Sequence, residues 1–185
     1  MLRLFTPDLR VDSVLSLDAK RLRALGVASL LLDVDCTLKR YREPEPPPAT
    51  RRWLETLRTE GFGMCLISNG RSTRLRDLAA LLDVPLVCKA CKPFPYACKA
   101  AMRRLAFDPR STAMVGDQIF ADVMAGRLAG IRCILVRPIH PEEEPWFTRL
   151  KRPWERIILA RLDRRKRADS AKPGGSDVQS PIPNP

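Results

Sequence analysis

Short apolar runs alternate along the chain with longer segments in which apolar residues recur at helical spacing. Four runs of four to six residues, each bounded by polar or turn residues, are typical of buried β-strands. The strand-like runs are residues 28–32, 62–67, 84–87 and 112–115, and the helix-like segments are residues 50–60, 72–82, 96–105 and 120–128. Because parallel strands are joined through helical crossovers, the pattern predicts an α/β fold, a three-layer sandwich with a central parallel sheet.

Each strand-like run is followed by polar residues that can carry chemistry. In open parallel sheets, ligands bind beyond the carboxyl ends of the strands, so these polar residues are expected to converge on one pocket. In chain order they are Asp33, Asp35 and Thr37, then Ser68 and Asn69, then Lys92, and finally Asp117 and Asp122.

The first of these clusters places two carboxylates two residues apart. Successive side chains of a strand point to opposite faces, so Asp33 and Asp35 leave the strand end on the same side, with Thr37 just beyond. Two acids held together are costly to bury unless a cation, a proton or hydrogen bonds compensate them, and metal-assisted phosphoryl chemistry needs such a pair. A turn or a helix cap is the alternative interpretation, because Asp is common in both.

The ordered set of clusters resembles the haloacid dehalogenase (HAD) superfamily of phosphohydrolases, from about residue 26 to residue 136. The first motif of that superfamily is matched by Asp33-Val-Asp35-Cys-Thr37, and the second by Ser68. Lys92 matches the third motif, and Gly116-Asp117 through Asp122 matches the fourth. The resemblance implies a phosphatase with the parallel-sheet fold that the pattern of apolar runs predicts.

Three further segments resemble the YqeG group within that superfamily, which is related to the mitochondrial-type phosphatidylglycerophosphate phosphatases. They are residues 5–13, Gly-Asp-Gln at residues 116–118 and Arg-Pro-Ile at residues 137–139. One position departs from the group, because Cys36 stands where the first motif usually carries Asn. The Cys36 side chain is expected to point away from the two carboxylates, so we interpret it as a packing residue rather than as a redox control.

The resemblance implies a role for each residue of the first two motifs. Asp33 is the expected nucleophile, which attacks phosphorus and forms an aspartyl-phosphate. Asp35 is expected to protonate the leaving oxygen and then to activate water, for which its pKa must be raised. Thr37, counted among the phosphate-binding groups, is expected to hydrogen-bond within the site and to orient Asp35. Ser68 and the backbone of Asn69 are expected to hold a phosphoryl oxygen.

The last two motifs imply the countercharges of the site. Lys92 is expected to neutralise charge on the transferring phosphoryl group. Mg²⁺ is expected on the carboxylates of Asp33 and Asp117 and on the backbone carbonyl of Asp35, because a hard cation prefers oxygen ligands. Asp122 is expected to orient Lys92 or a metal-bound water. Alternatively, Asp122 is only a carboxylate that the helix dipole favours near the start of a helix.

The six cysteines invite a metal or disulfide interpretation. Cys88 and Cys91 have a zinc-ligand spacing, but a structural zinc usually needs four ligands and the only histidine, His140, is remote in the sequence. Residues 1–17 carry charges every few positions and lack a long apolar core, so no signal peptide is predicted. We therefore expect reduced thiols and a cytoplasmic location.

A length of 185 residues with 45% apolar content predicts one domain, residues 1–167, followed by a disordered tail rich in Ser, Gly and Pro, residues 168–185. The intervals between the first three motifs each accommodate one helix and one strand and leave no room for a large cap domain, so an open site is expected. The Pro-rich loop 39–48 is either a partial wall of that site or a stiff connector. The apolar residues among positions 2–15 lack clean periodicity and are expected to wrap the sheet edge.

The net charge of +12 draws attention to a basic C-terminal segment, residues 146–167, whose last 19 residues hold nine basic side chains against two acidic ones. Within it, apolar side chains at helical spacing form one stripe, which consists of Trp154, Ile157, Ile158 and Leu162. Two interpretations stay open: peripheral contact with an anionic membrane, or a terminal helix whose stripe packs on the domain. Nucleic-acid binding is disfavoured, because aromatic residues are not interleaved with the basic run and no known motif is present.

Together these features predict a Mg²⁺-dependent phosphomonoester hydrolase. The narrower resemblance implies phosphatidylglycerophosphate as the substrate and phosphatidylglycerol as the product, with peripheral contact at the inner face of the membrane as an option. A small soluble ester, such as a nucleotide or a sugar phosphate, is the alternative substrate. An alternative of a different class is a non-catalytic module that binds RNA or a ribosome-linked partner. No apolar stretch approaches the roughly 20 residues of a membrane span.

Overall fold

The computed structural model describes residues 2–70 and 73–170 and contains one sheet of six strands. The strands are β1 (Leu9–Val11), β2 (Ser29–Leu32), β3 (Gly63–Ile67), β4 (Leu86–Val87), β5 (Thr112–Gly116) and β6 (Arg132–Val136). They lie in the order β1-β6-β5-β2-β3-β4, and each neighbouring pair is parallel. The predicted α/β fold with a central parallel sheet is therefore confirmed.

Helices cover both faces of this sheet. They are α1 (Ala19–Ala24), α2 (Pro48–Thr59), α3 (Thr73–Leu82), α4 (Tyr96–Leu105), α5 (Met124–Ala129), α6 (Trp146–Arg149) and α7 (Arg152–Ser170). Leu30 and Leu32 of β2 pack with buried residues of α2 and α3, whereas Leu31 packs with residues of α4 and α5. This alternation along one strand separates two apolar cores and gives the three-layer arrangement.

Two predicted elements differ from those observed. The run 84–87 contributes only the two residues of β4, because at this edge of the sheet only Leu86 and Val87 pair with β3. The helix-like segment 120–128 is divided into a π-helical turn, Ile119–Val123, and the helix α5. The turn widens because the N–H groups of Asp122 and Val123 both donate to the carbonyl of Gln118.

The N-terminal residues do more than wrap the sheet edge. Leu9–Val11 forms β1, which pairs in parallel with β6 and adds a strand to the sheet. Asp8 fastens the start of this strand, because its carboxylate accepts a hydrogen bond from the N–H of Cys133 (2.7 Å) and pairs with Arg127 (2.8 Å). Three residues are too few to show the alternating pattern of a strand, which is why the sequence did not predict β1.

The C-terminal helix α7 runs through Ser170, so residues 168–170 of the predicted tail are helical. Neither Gly nor Pro occurs between residues 154 and 172, so nothing in the sequence stops the helix at residue 168. Residues 171–185 of the predicted tail lie outside the described residues. In the described part of the chain, no helix combines the length and the apolar character needed to cross a membrane.

The predicted apolar stripe of α7 does not lie on a single face. Leu162 is buried, and Ile158 packs with Leu159 against a small apolar cluster formed by β6 and the π-helical turn. Trp154 and Ile157, in contrast, are 64% and 45% exposed. The inward-facing side of α7 is instead completed by charged residues, as the site below shows.

Candidate active site

The carboxyl ends of four neighbouring strands place the predicted residues around one cavity of about 280 Å³. Asp33 follows β2, Ser68 follows β3, Lys92 lies beyond β4 and Asp117 follows β5. The predicted residues that line the cavity are Asp33, Asp35, Ser68, Asn69 and Lys92, while Thr37, Asp117 and Asp122 are buried. The structure thus brings together in one region all eight residues singled out from the sequence.

Lys92 is the central cation of the site. Its Nζ donates to Asp33 Oδ1 (2.5 Å), to Asp122 Oδ1 (2.6 Å) and to the carbonyl of Ile67 (3.1 Å). Burial works against the charged ammonium, but the two carboxylates outweigh it and raise the pKa of Lys92. Lys92 is therefore a permanent positive charge between two buried acids.

Asp33 combines a buried position with an unsatisfied oxygen. Burial raises the pKa of Asp33 to about 7, against the opposing effect of Lys92. Its Oδ2 is buried and has no hydrogen-bond partner among the described residues. Carboxylate oxygens of Asp33, Asp117 and Asp122 lie within 4.8 Å of one another. A divalent cation with oxygen ligands fits this donor set, since it would satisfy the orphaned oxygen and offset the buried negative charge.

Asp35 has a partner that the sequence analysis did not identify. Lys39 is buried, and its Nζ donates to Asp35 Oδ1 (2.7 Å) and to the carbonyls of Arg40 (3.2 Å) and Tyr41 (3.4 Å). The carboxylate of Asp35 is itself about one third exposed, at 35%. One oxygen of Asp35 is therefore fixed by Lys39 while the group stays accessible from the cavity. Tyr41, from the Pro-rich loop 39–48, lines the same cavity and forms part of its wall.

The hydroxyl of Thr37 lies on a different carboxylate from the one expected. It donates to Asp117 Oδ1 (3.1 Å), so the expected orientation of Asp35 by Thr37 is not what the structure shows. The chain turns back after Asp35, and the N–H groups of Thr37 and Leu38 donate to the carbonyl of Val34. This tight turn directs the Thr37 hydroxyl toward the end of β5 instead.

The second motif is organised around the loop that carries Lys92. Asn69 Oδ1 accepts a hydrogen bond from the N–H of Lys92 (2.8 Å), and Asn69 Nδ2 donates to the carbonyl of Lys92 (3.3 Å). The Ser68 hydroxyl accepts a bond from the N–H of Gly70 (3.1 Å) and is almost fully buried. The side-chain amide of Asn69 therefore holds the Lys92 backbone in place. The expected contact of Asn69 with a phosphoryl oxygen is then left to its backbone N–H group.

The fourth motif requires its glycine. A Cβ at Gly116 would overlap the carboxyl group of Asp122, so only glycine allows Asp122 to lie this close to the end of β5. Asp122 then accepts from Lys92 with Oδ1 and from the N–H of Gln118 with Oδ2 (3.0 Å). The contact with Lys92 is the one that the sequence analysis expected, and its catalytic significance stays a prediction.

The sequence analysis missed a second cation, Arg152, at the start of α7. Its guanidinium bonds to both the carboxylate and the carbonyl of Asp117, the latter at 2.8 Å. It also bonds to Glu144 and to Glu155 Oε2 (3.1 Å). The carboxylates of Glu144 and Glu155, which bind the Arg152 guanidinium, belong to buried residues. Nothing in the sequence distinguishes Arg152 from the other basic residues around it, and Glu144 looks like part of a solvated acidic run at residues 142–144.

Arg152 and Glu144 bond to each other but line different cavities. With Asp117, Arg152 lines a second cavity of about 550 Å³, whose other walls come from α7 and from strands β1 and β6. Glu144 lines the first cavity, beside Asp33 and Lys92. The chemistry described above belongs to the smaller cavity, because that one contains the orphaned oxygen of Asp33 and the Lys92 ammonium.

Cys36 lies in the same turn and is buried with a left-handed backbone conformation, at φ +62°. Burial raises the pKa of the Cys36 thiol, and the negative charge of Asp117 adds to this effect, so the thiol stays protonated. Asn adopts positive φ more readily than most other residues that carry a side chain, so Asn would also suit the backbone of this turn. The structure is consistent with a packing role for Cys36.

The other cysteines form no metal site in the part of the chain that the structure describes. The one group of three or more close potential ligands found there consists of the aspartates named above. All six cysteines are free thiols in the described residues. Of the two cysteines whose spacing suggested zinc, Cys88 is partly exposed and Cys91 is exposed.

Comparisons with known proteins agree with this geometry. A family model described as HAD-hydrolase-like matches residues 90–138, which include Lys92, Asp117 and Asp122. The chain is 29% identical over 163 residues to a Bacillus subtilis protein named "Probable phosphatase YqeG", an alignment that covers 88% of this chain and 94% of that protein. It is 26% identical over 167 residues to phosphatidylglycerophosphate phosphatase 1, chloroplastic, of Chlamydomonas reinhardtii, covering 84% of this chain and 61% of that protein.

Solved structures give the same indication for the fold. A Streptomyces avermitilis protein assigned to the HAD hydrolase family superposes with a TM-score of 0.51 at 18% identity. The superposition covers 60% of this chain and 68% of that one. At this level of identity the likeness concerns the arrangement of the sheet and its helices.

Proposed function

We propose that the chain is a phosphatase of the HAD-like hydrolases and that it converts phosphatidylglycerophosphate to phosphatidylglycerol. The observation that carries the chemistry is the buried Asp33 carboxylate, which has one oxygen on Lys92 and the other without a partner beside an open cavity. The lipid substrate is supported by the likeness to the chloroplast phosphatidylglycerophosphate phosphatase.

In the proposed reaction, a carboxylate oxygen of Asp33 attacks phosphorus and the bond to the leaving oxygen breaks, which gives an aspartyl-phosphate on Asp33. Asp35 gives its proton to the leaving oxygen of the lipid. The same carboxylate then takes a proton from the water that attacks the aspartyl-phosphate, and inorganic phosphate leaves. Lys39 holds one oxygen of Asp35, so the other oxygen would carry the proton.

Three other groups would position and neutralise the phosphoryl group. The Ser68 hydroxyl and the backbone N–H of Asn69 would bind its oxygens, and Lys92 would offset the charge that develops on them. The Lys92 ammonium is already shared with Asp33 and Asp122, so it is held in place before substrate arrives. Asp122 acts in this scheme as a positioning residue for Lys92.

We further propose that Mg²⁺ is the cofactor. The carboxylates of Asp33 and Asp117 and the backbone carbonyl of Asp35 would hold it, which suits a hard cation. Mg²⁺ bound there would reduce the repulsion between the anionic nucleophile and the anionic phosphate. The orphaned oxygen of Asp33 and the raised pKa of Asp117, which burial causes, both indicate a site with uncompensated negative charge.

The test is Mg²⁺-dependent phosphate release from short-chain phosphatidylglycerophosphate, measured beside a panel of soluble phosphate esters. The Asp33→Asn variant serves as the blank, and its thermal unfolding verifies that it is folded. We expect release from the lipid that exceeds release from every soluble ester and that falls by at least about 10³-fold in the variant. We also expect chelation of Mg²⁺ to abolish it.

Two other results would contradict the proposal in different ways. Turnover of soluble esters alone would retain the phosphatase and remove the lipid assignment. Absence of turnover on every ester, by a folded protein with Mg²⁺ present, would favour the alternative of a binding module for RNA or a ribosome-linked partner. In that case Asp33→Asn would leave the cellular role of the protein unchanged.

A further inference from the structure

Large apolar side chains are exposed in a row along the outer side of α6 and α7. Leu150, in the turn between α6 and α7, is 66% exposed, and Trp154 and Ile157, three residues apart on α7, are 64% and 45% exposed. Trp146, four residues before Leu150, is 76% exposed. We call these four residues the outer face. Large exposed apolar side chains that lie this close together in the chain are typical of an interaction surface.

The exposed charges around the outer face all have one sign. They are Arg149, Lys151, Arg156, Arg161 and Arg164. The two acids of this segment are both engaged elsewhere: Glu155 is buried against Arg152, and Asp163 pairs with Arg10 (2.5 Å). The outer face therefore presents apolar side chains and positive charge with no exposed, unpaired carboxylate between residues 146 and 164.

This surface borders the active site. Thr148 and Lys151, which lie between the residues of the outer face, line the same cavity as Asp33 and Lys92. On its other side the helix is fixed to the domain, since Arg152 bonds to Asp117 and Ile158 packs against the apolar cluster below. Anything that binds the outer face is thus brought to the mouth of the cavity.

We propose that the outer face docks on an anionic lipid bilayer, with its apolar residues among the headgroups and its cations on the lipid phosphates. A bilayer supplies an apolar layer for the apolar side chains and negative charge for the cations, so it complements both features of this surface. A nucleic acid would supply only the charge. A symmetric second copy would cover the apolar residues but would bring two sets of like charges together.

The orientation of the docked protein deepens the proposed function and rests on it. With the outer face on the bilayer, Thr148 and Lys151 would hold the cavity that they line close to the headgroups, so a lipid phosphate could reach Asp33 without the lipid leaving the membrane. The docking step itself depends only on anionic lipid. Docking and hydrolysis can therefore fail independently of each other.

The experiment is co-sedimentation of the full chain with vesicles, in the absence of substrate and of Mg²⁺. Vesicles of equimolar phosphatidylcholine and phosphatidylglycerol are compared with vesicles of phosphatidylcholine alone. We expect binding to the mixed vesicles, weakening with salt, and a blue shift of tryptophan fluorescence, because Trp146 and Trp154 are exposed whereas Trp53 is buried. Binding to phosphatidylcholine alone should be weaker by about tenfold or more.

Matched variants separate the apolar and the charged contributions. The double variant Leu150→Asn/Trp154→Asn should lose about tenfold or more in binding, whereas Leu81→Asn/Leu128→Asn, at exposed positions on α3 and α5, should bind like the wild type. Arg161→Gln/Arg164→Gln should weaken binding, and Arg103→Gln/Arg104→Gln on α4 should not. All four are substitutions of exposed residues, and thermal unfolding verifies that each protein is folded.

Three results would overturn the docking proposal. They are equal binding by the Leu150→Asn/Trp154→Asn variant, equal binding to the two kinds of vesicle, and a wild-type dimer that this variant converts to a monomer. Displacement from vesicles by RNA at equal phosphate concentration would favour nucleic acid as the occupant. If the wild type docks but does not hydrolyse short-chain phosphatidylglycerophosphate, only the proposed substrate is wrong. If it hydrolyses this substrate but does not dock on vesicles, only the docking proposal is wrong.

Discussion

Two cations stabilise the acidic site, and they come from different parts of the fold. Lys92 lies beyond β4, is almost fully buried and binds Asp33 and Asp122. Arg152 comes from the C-terminal helix, is 12% exposed and binds Asp117 together with Glu144 and Glu155. Five buried carboxylates therefore share two cations, of which one belongs to the sheet edge and the other to a helix that follows the last strand.

The difference shows how the C-terminal helix is coupled to the chemistry. The apolar contacts of α7 with the domain are few, because Trp154 and Ile157 face outward. The Arg152 network supplies much of the remaining attachment, and its central acid is Asp117, a proposed metal ligand. The order of the site and the docking of α7 are thus expected to depend on each other, whereas the Lys92 half has no bond to α7 among the described residues.

The largest effect is expected from removal of the Lys92 charge. Lys92→Met would leave Asp33 and Asp122 buried without their cation, which typically costs about 3–5 kcal/mol of the free energy of unfolding. Phosphatase turnover should fall by at least about 10³-fold, because the group that offsets phosphoryl charge is gone. Chemical denaturation and phosphate release measure the two effects.

Protonation provides the control for the Lys92→Met prediction. Since the freed carboxyl groups can take up protons, the destabilisation should be smaller at about pH 5 than at about pH 8. Adding Asp122→Asn to Lys92→Met should recover part of the lost stability, because one unpaired charge is removed. If the destabilisation by Lys92→Met changed neither with pH nor on adding Asp122→Asn, Lys92 would contribute packing rather than charge.

Removal of the Arg152 charge should have a smaller effect on turnover. Arg152→Gln would leave Asp117, Glu144 and Glu155 without a shared partner and should lower the free energy of unfolding by about 2–4 kcal/mol. Turnover should fall about 10- to 100-fold, the usual range for residues that orient a metal ligand. Arg156→Gln, at an exposed position one turn along the same helix, should change neither quantity measurably.

The Mg²⁺ affinity of the Arg152→Gln variant shows whether Arg152 orients the Asp117 carboxylate for the metal or competes with the metal for it. If Arg152 orients this carboxylate for the metal, Arg152→Gln should bind Mg²⁺ more weakly, as measured by the rise in unfolding temperature on adding Mg²⁺. A gain in Mg²⁺ affinity would instead mean that Arg152 and the metal compete for the same oxygen. The comparison with Lys92→Met then separates a loss of metal binding from a loss of phosphate binding.

The two halves of the site also differ in how well the sequence predicts them. Asp33, Ser68, Lys92 and Asp117 each follow an apolar run, so the rule that ligands bind at strand ends places all of them. Arg152 follows no strand and has many basic neighbours, so only the folded chain reveals its partners. The sequence did not predict the role of Lys39 for the same reason, because its ion pair with Asp35 depends on the turn that follows Asp35.

The fold was predictable where the apolar pattern is long. The strands β2, β3, β5 and the helix α4 coincide closely with the predicted segments, because their apolar residues recur at a clear spacing. The strand β1 has three residues, and the π-helical turn before α5 arises from hydrogen bonds to one carbonyl, so neither has a periodic signal. The outward face of α7 is a result of packing that the stripe alone did not determine.

The Lys92 half should also dominate the pH dependence of the metal-free protein. The pKa of Asp33 is raised from 3.8 to about 7 in the folded state, so the folded protein holds a proton there that the unfolded chain has lost. This contribution to stability is present below about pH 4 and is lost as the pH rises through about pH 7. The unfolding temperature in a chelator should therefore fall by about 5 °C across this range, beyond the change seen in Asp33→Asn.

Mg²⁺ should reverse this trend, because it binds the deprotonated carboxylate. The rise in unfolding temperature caused by Mg²⁺ should be larger at about pH 8 than at about pH 5 in the wild type, and Asp33→Asn should reduce it. A wild-type profile in chelator that parallels that of Asp33→Asn would show that Asp33 is not the group whose pKa is raised. Asp117, whose pKa burial also raises, would then be the next candidate.

The smallest effect is expected at Cys36, a buried residue of the small cavity whose thiol is influenced by the negative charges of Asp117 and Glu144. Because its φ is +62°, Cys36→Asn should be tolerated, whereas Cys36→Val should be less stable than Cys36→Asn by about 1–2 kcal/mol. Neither substitution removes a group that contacts phosphate, so turnover should change less than about threefold where the protein is folded. Denaturant unfolding and phosphate release measure the pair. If Cys36→Asn were the less stable variant, burial of the amide beside the acidic network, rather than backbone strain, would determine which residue this turn accepts.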